Sequence, residues 1–243
     1  IGDKQDENFF KHYYLHGDVN LHSSLNKYGF SEEDVTDVFL THLHFDHCGG
    51  SVKWNKDRTS FEMVFKNAKY WTNKDHWQWA TEPNNREKAS FLRENIMPIQ
   101  QSGHLNFVET EHNIFNNFNA LFVNGHTESQ MIPHITYKDK TIVFAADLLP
   151  SSGHIPLPYV MGYDTKPLVT LTEKEKFLNA EVIDFPNDKT IKSAKDLSTK
   201  YQRTWKLYDK SNETGDDDQL KAVTGICFII GVLIITGLYS NLT

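Results

Sequence analysis

Four side chains of the types that bind metal ions lie within six residues: His42, His44, Asp46 and His47, in the run T-H-L-H-F-D-H. Imidazole nitrogens and carboxylate oxygens are good ligands for zinc-like cations. Because His42 and His44 are two positions apart, they face the same side of an extended strand end and can share one metal. Asp46 and His47 follow the turn and can bind a second metal beside the first. The competing interpretation is a loop whose histidines are simply solvated.

Two further candidate ligands stand at the ends of apolar runs. His126 follows the run N-A-L-F-V-N-G, and Asp147 follows T-I-V-F-A-A. Taken singly, either residue is more typical of a cap or a surface position. Three separate strands that each end in a ligand-type residue predict a metal site at one edge of a sheet.

These three motifs, T-H-L-H-F-D-H, G-H-T and A-A-D, resemble the metallo-β-lactamase superfamily of metal-dependent hydrolases over about residues 1–180. The resemblance implies an α/β fold, an αββα sandwich with a dinuclear metal site at one edge. It implies three histidines on the first metal, a carboxylate and a histidine on the second, and a bridging aspartate. These residues are, in that order, His42, His44 and His126; Asp46 and His47; and Asp147.

The same resemblance implies a zinc-dependent hydrolase in which a metal-bound hydroxide attacks a lactone, an ester or a related small molecule. Asp46 is then the catalytic residue that orients the nucleophile and shuttles a proton. The stretch K-Y-W-T-N-K-D-H-W-Q-W resembles the branch that contains lactonases and organophosphate hydrolases. Manganese and iron accept the same ligands. The alternative function is a catalytically impaired or inactive membrane-tethered remnant of such a hydrolase.

The sequence departs from the family pattern in two places. The family has a further histidine ligand on a late strand, whereas the last histidine here is His154, in a Gly/Pro-flanked loop soon after Asp147. We therefore expect two zinc ions from the family but one if the second position is incomplete. The chain before His42 is also short, which predicts an N-terminally truncated domain with an incomplete first sheet and a divergent C-terminal tail.

The elements that must position these residues follow from local patterns. The run Val38-Phe39-Leu40 predicts a buried strand that delivers His42. A helix is predicted over 84–103, and a hairpin over 131–150 whose second strand ends at Asp147. Thr172 and Glu175 form a capping box that predicts a helix start at Thr172.

Composition limits the remaining possibilities. The chain has 243 residues and a net charge of −7, which argues against a nucleic-acid binder held by phosphate contacts. Three regions are predicted: a partial hydrolase domain over 1–180, a polar linker over 181–221, and a transmembrane helix over 222–239. Upstream cations place the hydrolase domain in the cytoplasm, anchored by that helix. The alternative for 222–239 is a buried core helix or a pair of strands.

Two other features carry alternative interpretations. An aromatic cluster of Tyr70, Trp71, His76, Trp77 and Trp79 either lines an apolar substrate mouth or packs as a small core. Cys48, next to the candidate ligands, is expected to pack behind the site rather than act as a nucleophile.

Overall fold

The computed structural model of the chain describes residues 2–15, 17, 19–138 and 140–180, together with two strands at 226–229 and 232–236. The chain divides into two compact units, which are described separately. The first comprises Ile1–Glu109 with Thr214–Thr243, and the second comprises Thr110–Glu213.

The first unit contains a five-stranded sheet with the order β5-β4-β1-β10-β9. Strand β1 is paired on both edges, parallel to β4 and antiparallel to β10. A separate antiparallel pair is formed by β2 and β3. The strand bounds are β1 Val35–Leu40, β2 Val52–Trp54, β3 Phe61–Met63, β4 Lys69–Asn73, β5 Leu105–Val108, β9 Ile226–Ile229 and β10 Val232–Thr236.

Among the described residues of this unit, five α-helices accompany these strands: α1 Glu7–Phe10, α2 Leu21–Lys27, α3 Phe45–Cys48, α4 Lys74–Thr81 and α5 Arg93–Gln101. The apolar face of β1, including Val38 and Leu40, packs in a core with Tyr70 and Ile96. Burying such side chains stabilises the unit by about 1.5–3 kcal/mol each. The core therefore fixes the end of β1, from which the histidine motif continues.

The described part of the second unit, residues 110–138 and 140–180, contains a three-stranded antiparallel sheet with the order β6-β7-β8 and the long helix α6. The bounds are β6 Phe118–Val123, β7 Gln130–Tyr137, β8 Lys140–Val143 and α6 Pro167–Ala180. Phe177 and Leu178 of α6 join a core with Val123 and Ile132 of the sheet. The sheet and α6 are thus packed together by apolar contacts.

Three predicted boundaries differ from the structure. Residues 84–90 form turns, and only Arg93–Gln101 is helical, because side chains of this segment hydrogen-bond the backbone locally. Strand β8 ends at Val143, so Asp147 follows it in a single 3₁₀ turn. Helix α6 begins at Pro167, a residue favoured in the first turn, so Thr172 lies inside the helix and donates to Leu168 O.

The predicted transmembrane helix also differs from what the structure describes. Within 222–239, the described residues form β9 and β10, which is the strand-pair alternative. Ile, Val and Thr dominate this stretch and favour extended backbone. Among the described residues, no helix is both long and apolar enough to cross a membrane. The predicted linker over 181–221 and the rest of 222–239 lie outside the described residues.

Candidate metal centre

The histidine motif leaves β1 through a turn whose backbone is fixed from inside the first unit. The N–H of Leu43 donates to Nε2 of His76 at 2.8 Å, and His76 is fully buried. Since Nε2 accepts this hydrogen bond, the His76 ring is neutral and carries its proton on Nδ1. His44 then becomes the N-cap of α3, which carries Asp46 and His47.

The three imidazoles of this motif are buried side by side. His42 is 0% exposed, His44 7% and His47 5%. The ring centroids of His42 and His44 are 4.7 Å apart, and those of His42 and His47 are 3.9 Å apart. A ring nitrogen of His42 lies within 4.8 Å of one on His44 and of one on His47. Converging imidazole nitrogens of this kind are a donor set that zinc-like cations fit.

Asp46 adds an ionised carboxylate to this cluster. Its Oδ2 lies 3.4 Å from Nε2 of His47, and its side chain is 44% exposed. Burial by itself raises the pKa of Asp46, but the hydrogen bond and charge of His47 and the charge of His44 outweigh it and lower the pKa to about 2. Asp46 is therefore an anion at neutral pH, the form that binds cations and accepts protons.

The second unit contains its own histidine and carboxylates. His126 is 4% exposed, and its two ring nitrogens face two aspartates. Nε2 lies 3.2 Å from Oδ2 of Asp147, and Nδ1 lies 3.1 Å from Oδ1 of Asp164. The His126 ring is therefore held at both nitrogens, by Asp147 at Nε2 and by Asp164 at Nδ1.

The backbone that carries His126 is held by α6 and the residues before it. Glu173 accepts the N–H groups of Asn124 and Gly125 at 2.8 and 2.9 Å. Thr165 N–H donates to His126 O at 3.2 Å. Gly125 packs so closely against Thr170 that a Cβ there would overlap Thr170 N and Cα. The glycine of the G-H-T motif is therefore required by packing.

The structure brings together four predicted residues in the first unit, His42, His44, Asp46 and His47, and two in the second, His126 and Asp147. His154 lies in a 3₁₀ turn of the second unit, with its Nδ1 2.8 Å from Ser151 Oγ.

The supporting roles of three residues were not predicted from the sequence: those of His76, Glu87 and Asp164. Glu87 and Asp164 are buried carboxylates beside His44 and His126, at 4% and 1% exposure. Neither residue lies in an apolar pattern or in a motif with the spacing of metal ligands, so the local sequence does not predict their contacts with the histidines.

The burial of the aromatic cluster and of Cys48 distinguishes between the alternative interpretations of each. Tyr70 and Trp77 belong to the core of the first unit, with Trp79 packed against it, which favours the core interpretation of the aromatic cluster. Cys48 is fully buried, its thiol donates to Leu43 O, and burial raises its pKa to about 12. Cys48 therefore packs behind the histidine motif and is not a nucleophile.

Solved structures resemble the chain. A probable metal-dependent hydrolase from Staphylococcus aureus matches at 24% identity with a TM-score of 0.66, over 73% of this chain and 62% of that one. AidC, a dizinc quorum-quenching lactonase, matches at 29% identity and TM-score 0.54, over 65% of this chain and 57% of its own. The hydrolase AbOPH matches at 23% identity and TM-score 0.55, over 65% and 57%. The chain thus spans about three fifths of these proteins.

A search of curated proteins finds no match. A family model does match: residues 15–201 fit the metallo-β-lactamase superfamily, well over half of the chain. The mixed α/β fold and the histidine motif agree with that match. The chain therefore belongs to the metallo-β-lactamase superfamily.

Proposed function

We propose that this chain is a metal-dependent hydrolase that cleaves a small lactone or ester. The observation that carries the proposal is the buried group of three imidazoles beside the ionised Asp46, in a chain of this superfamily. The likeness to AidC, a lactonase at 29% identity, favours a lactone as the substrate class. We also propose that the chain adopts the αββα sandwich that is typical of the family.

The proposed ligand assignment follows the family pattern. Three histidines would hold the first metal, Asp46 and His47 would hold the second, and Asp147 would be the ligand that the two share. The three histidines are His42, His44 and His126. Support comes from the chemistry of each unit's cluster, since both consist of buried imidazoles and carboxylates. Zinc is the proposed cation, with manganese and iron as competitors.

A bound cation supplies polarisation of the substrate carbonyl and a water of lowered pKa. The chain's own contribution is positional and acid–base. Asp46, ionised and 44% exposed, is placed to orient a water and to accept its proton at a carboxylate oxygen. The buried imidazoles hold their orientation because packing and hydrogen bonds leave them little freedom.

The test is metal analysis of the purified chain followed by a panel of lactones and esters. We expect at least one equivalent of zinc and turnover that chelation abolishes. His44→Ala should reduce metal content and lower turnover by at least about a hundredfold. His22→Ala, at a histidine whose side chain is 63% exposed, is the matched control and should retain both. A wild-type chain with less than one equivalent and no turnover would support the inactive-remnant alternative.

A further inference from the structure

Glu87 is a buried carboxylate on which three side-chain nitrogens converge. It is 4% exposed and lies in the turn segment 84–90 of the first unit. Its Oε2 accepts hydrogen bonds from Trp79 Nε1 at 2.7 Å and from Asn84 Nδ2 at 2.8 Å. Its Oε1 lies 3.4 Å from Nε2 of His44. The two oxygens therefore have different partners.

Hydrogen bonds that do not involve the Glu87 side chain also fix the turn segment. Asn84 Oδ1 accepts the N–H groups of Arg86 and Glu87 at 2.8 and 3.1 Å, which closes the turn. Ser90 O accepts the N–H of Phe45 at 2.8 Å, one residue after His44. The segment is thus attached to the histidine motif by its backbone as well as by Glu87. An isosteric change at Glu87 should leave this attachment in place.

The arrangement decides which nitrogen of His44 carries the proton. Trp79 and the Asn84 amide nitrogen can only donate, so both require an acceptor at Oε2. The two donors at Oε2 leave Oε1 to face His44, and a carboxylate oxygen that accepts there pairs with an N–H at Nε2. The lone pair of a neutral His44 ring is then on Nδ1.

We propose that Glu87 is a positioning residue that holds His44 as the Nε2–H tautomer and so makes Nδ1 its metal-binding nitrogen. The inference rests on the proposed function, because it concerns a ligand of the proposed metal centre. Carboxylates that accept the second ring N–H of a histidine ligand fix both its tautomer and its ring orientation.

Glu87→Gln tests the proposal because the side chain keeps its shape while the group that faces His44 changes from an acceptor to a donor. Trp79 and Asn84 will keep the amide oxygen at the position of Oε2, since both are donors. The amide NH₂ then faces His44 Nε2, which must become an acceptor. His44 then adopts the Nδ1–H tautomer, in which Nδ1 has no lone pair for a metal. The same change of tautomer follows when Asn replaces the Asp that contacts the histidine of a catalytic triad.

The measurement is a long-range ¹H–¹⁵N correlation of the imidazoles in the metal-free full chain, under mildly alkaline conditions where the rings are neutral. His44 signals are assigned by their loss in His44→Gln. We expect Nε2–H in the wild type, with an NOE from that proton to the Glu87 side chain, and Nδ1–H in Glu87→Gln. Zinc affinity should fall about 10–100-fold in Glu87→Gln. Trp79→Phe keeps the carboxylate and should retain Nε2–H.

The proposal is overturned if wild-type His44 is the Nδ1–H tautomer, if the NOE is absent, or if Glu87→Gln keeps Nε2–H. Circular dichroism checks that the variants are folded. Should Glu87→Gln not fold, the wild-type tautomer and the NOE still decide the question. A wild-type chain that binds no zinc and cleaves no lactone would contradict the proposed function. The tautomer of His44 is measured without metal, so this proposal can fail or hold independently of that result.

Discussion

Oδ1 of Asp164 lies 3.1 Å from Nδ1 of His126, and no part of the Asp164 side chain is exposed to solvent. A carboxylate without a proton accepts and does not donate, so it directs the Nδ1–H of His126 toward itself. The opposite nitrogen of the ring then faces Asp147. This contact joins two parts of the second unit that are 38 residues apart in the sequence.

Replacing Asp164 by Asn should weaken zinc binding by about 10–100-fold, because the neutral amide holds the His126 ring less firmly. Titration calorimetry with zinc measures the change. Asp57→Asn removes an exposed carboxylate and serves as the control. Equal zinc affinity in Asp164→Asn and the wild type would show that Asp164 does not position His126.

Gly125→Ala should destabilise the chain by about 1–3 kcal/mol, because the added methyl group overlaps the backbone of Thr170 and α6 must move. Gly153→Ala is the matched control: the nearest atom to its Cβ would be Ser151 Oγ at 3.5 Å. We expect it to change stability by less than about 0.5 kcal/mol. Urea unfolding measures both, and equal midpoints would contradict the packing argument.

His76→Phe should cost about 1–3 kcal/mol, because the buried N–H of Leu43 loses its acceptor. The turn that carries His42 and His44 loses the same support, so zinc affinity should fall too. His22→Phe changes an exposed histidine and should be close to neutral. Denaturant unfolding and zinc titration of both variants test this, and unchanged stability in His76→Phe would refute it.

Lys4 gives stability a pH dependence of predictable sign. Its ammonium donates to Gly49 O, and burial lowers its pKa from 10.5 to about 8. Between these values the unfolded chain keeps a proton that the folded chain has lost. The free energy of unfolding therefore rises with pH from about 8 to about 10.5, by up to about 3 kcal/mol from this group.

Lys4→Met should remove that rise. Denaturant unfolding of wild type and variant at several pH values across this window gives the two slopes. The comparison of slopes is needed because burial also lowers the pKa of Lys174 to about 8, which adds the same trend to both proteins. Parallel slopes would show that Lys4 keeps its ordinary pKa.

Much of the metal motif could be predicted from sequence because the signals are local. The apolar run Val38–Leu40 predicted the strand that delivers His42, and the structure has β1 at Val35–Leu40. The spacing predicted that His42 and His44 share one metal and that His47 faces a second metal beside it, and the structure buries the three rings side by side.

The supporting residues could not be predicted in this way, because their roles depend on partners far along the chain. Glu87 meets His44 across 43 residues, and Asp164 meets His126 across 38. A charged residue in a polar stretch is ordinarily solvated, so only tertiary contact distinguishes these two. In the segment 222–239, uninterrupted apolar character fits a spanning helix and a buried strand pair equally well, and the described residues 226–229 and 232–236 form strands.

The pairing of β1 with β10 joins residues about 35–40 to residues 232–236. During synthesis on the ribosome, one edge of β1 must wait until residues 232–236 have emerged before its partner exists. A strand edge left open that long can recruit other nascent chains. Chaperone demand and yield in the cell should therefore depend on how fast translation reaches β10.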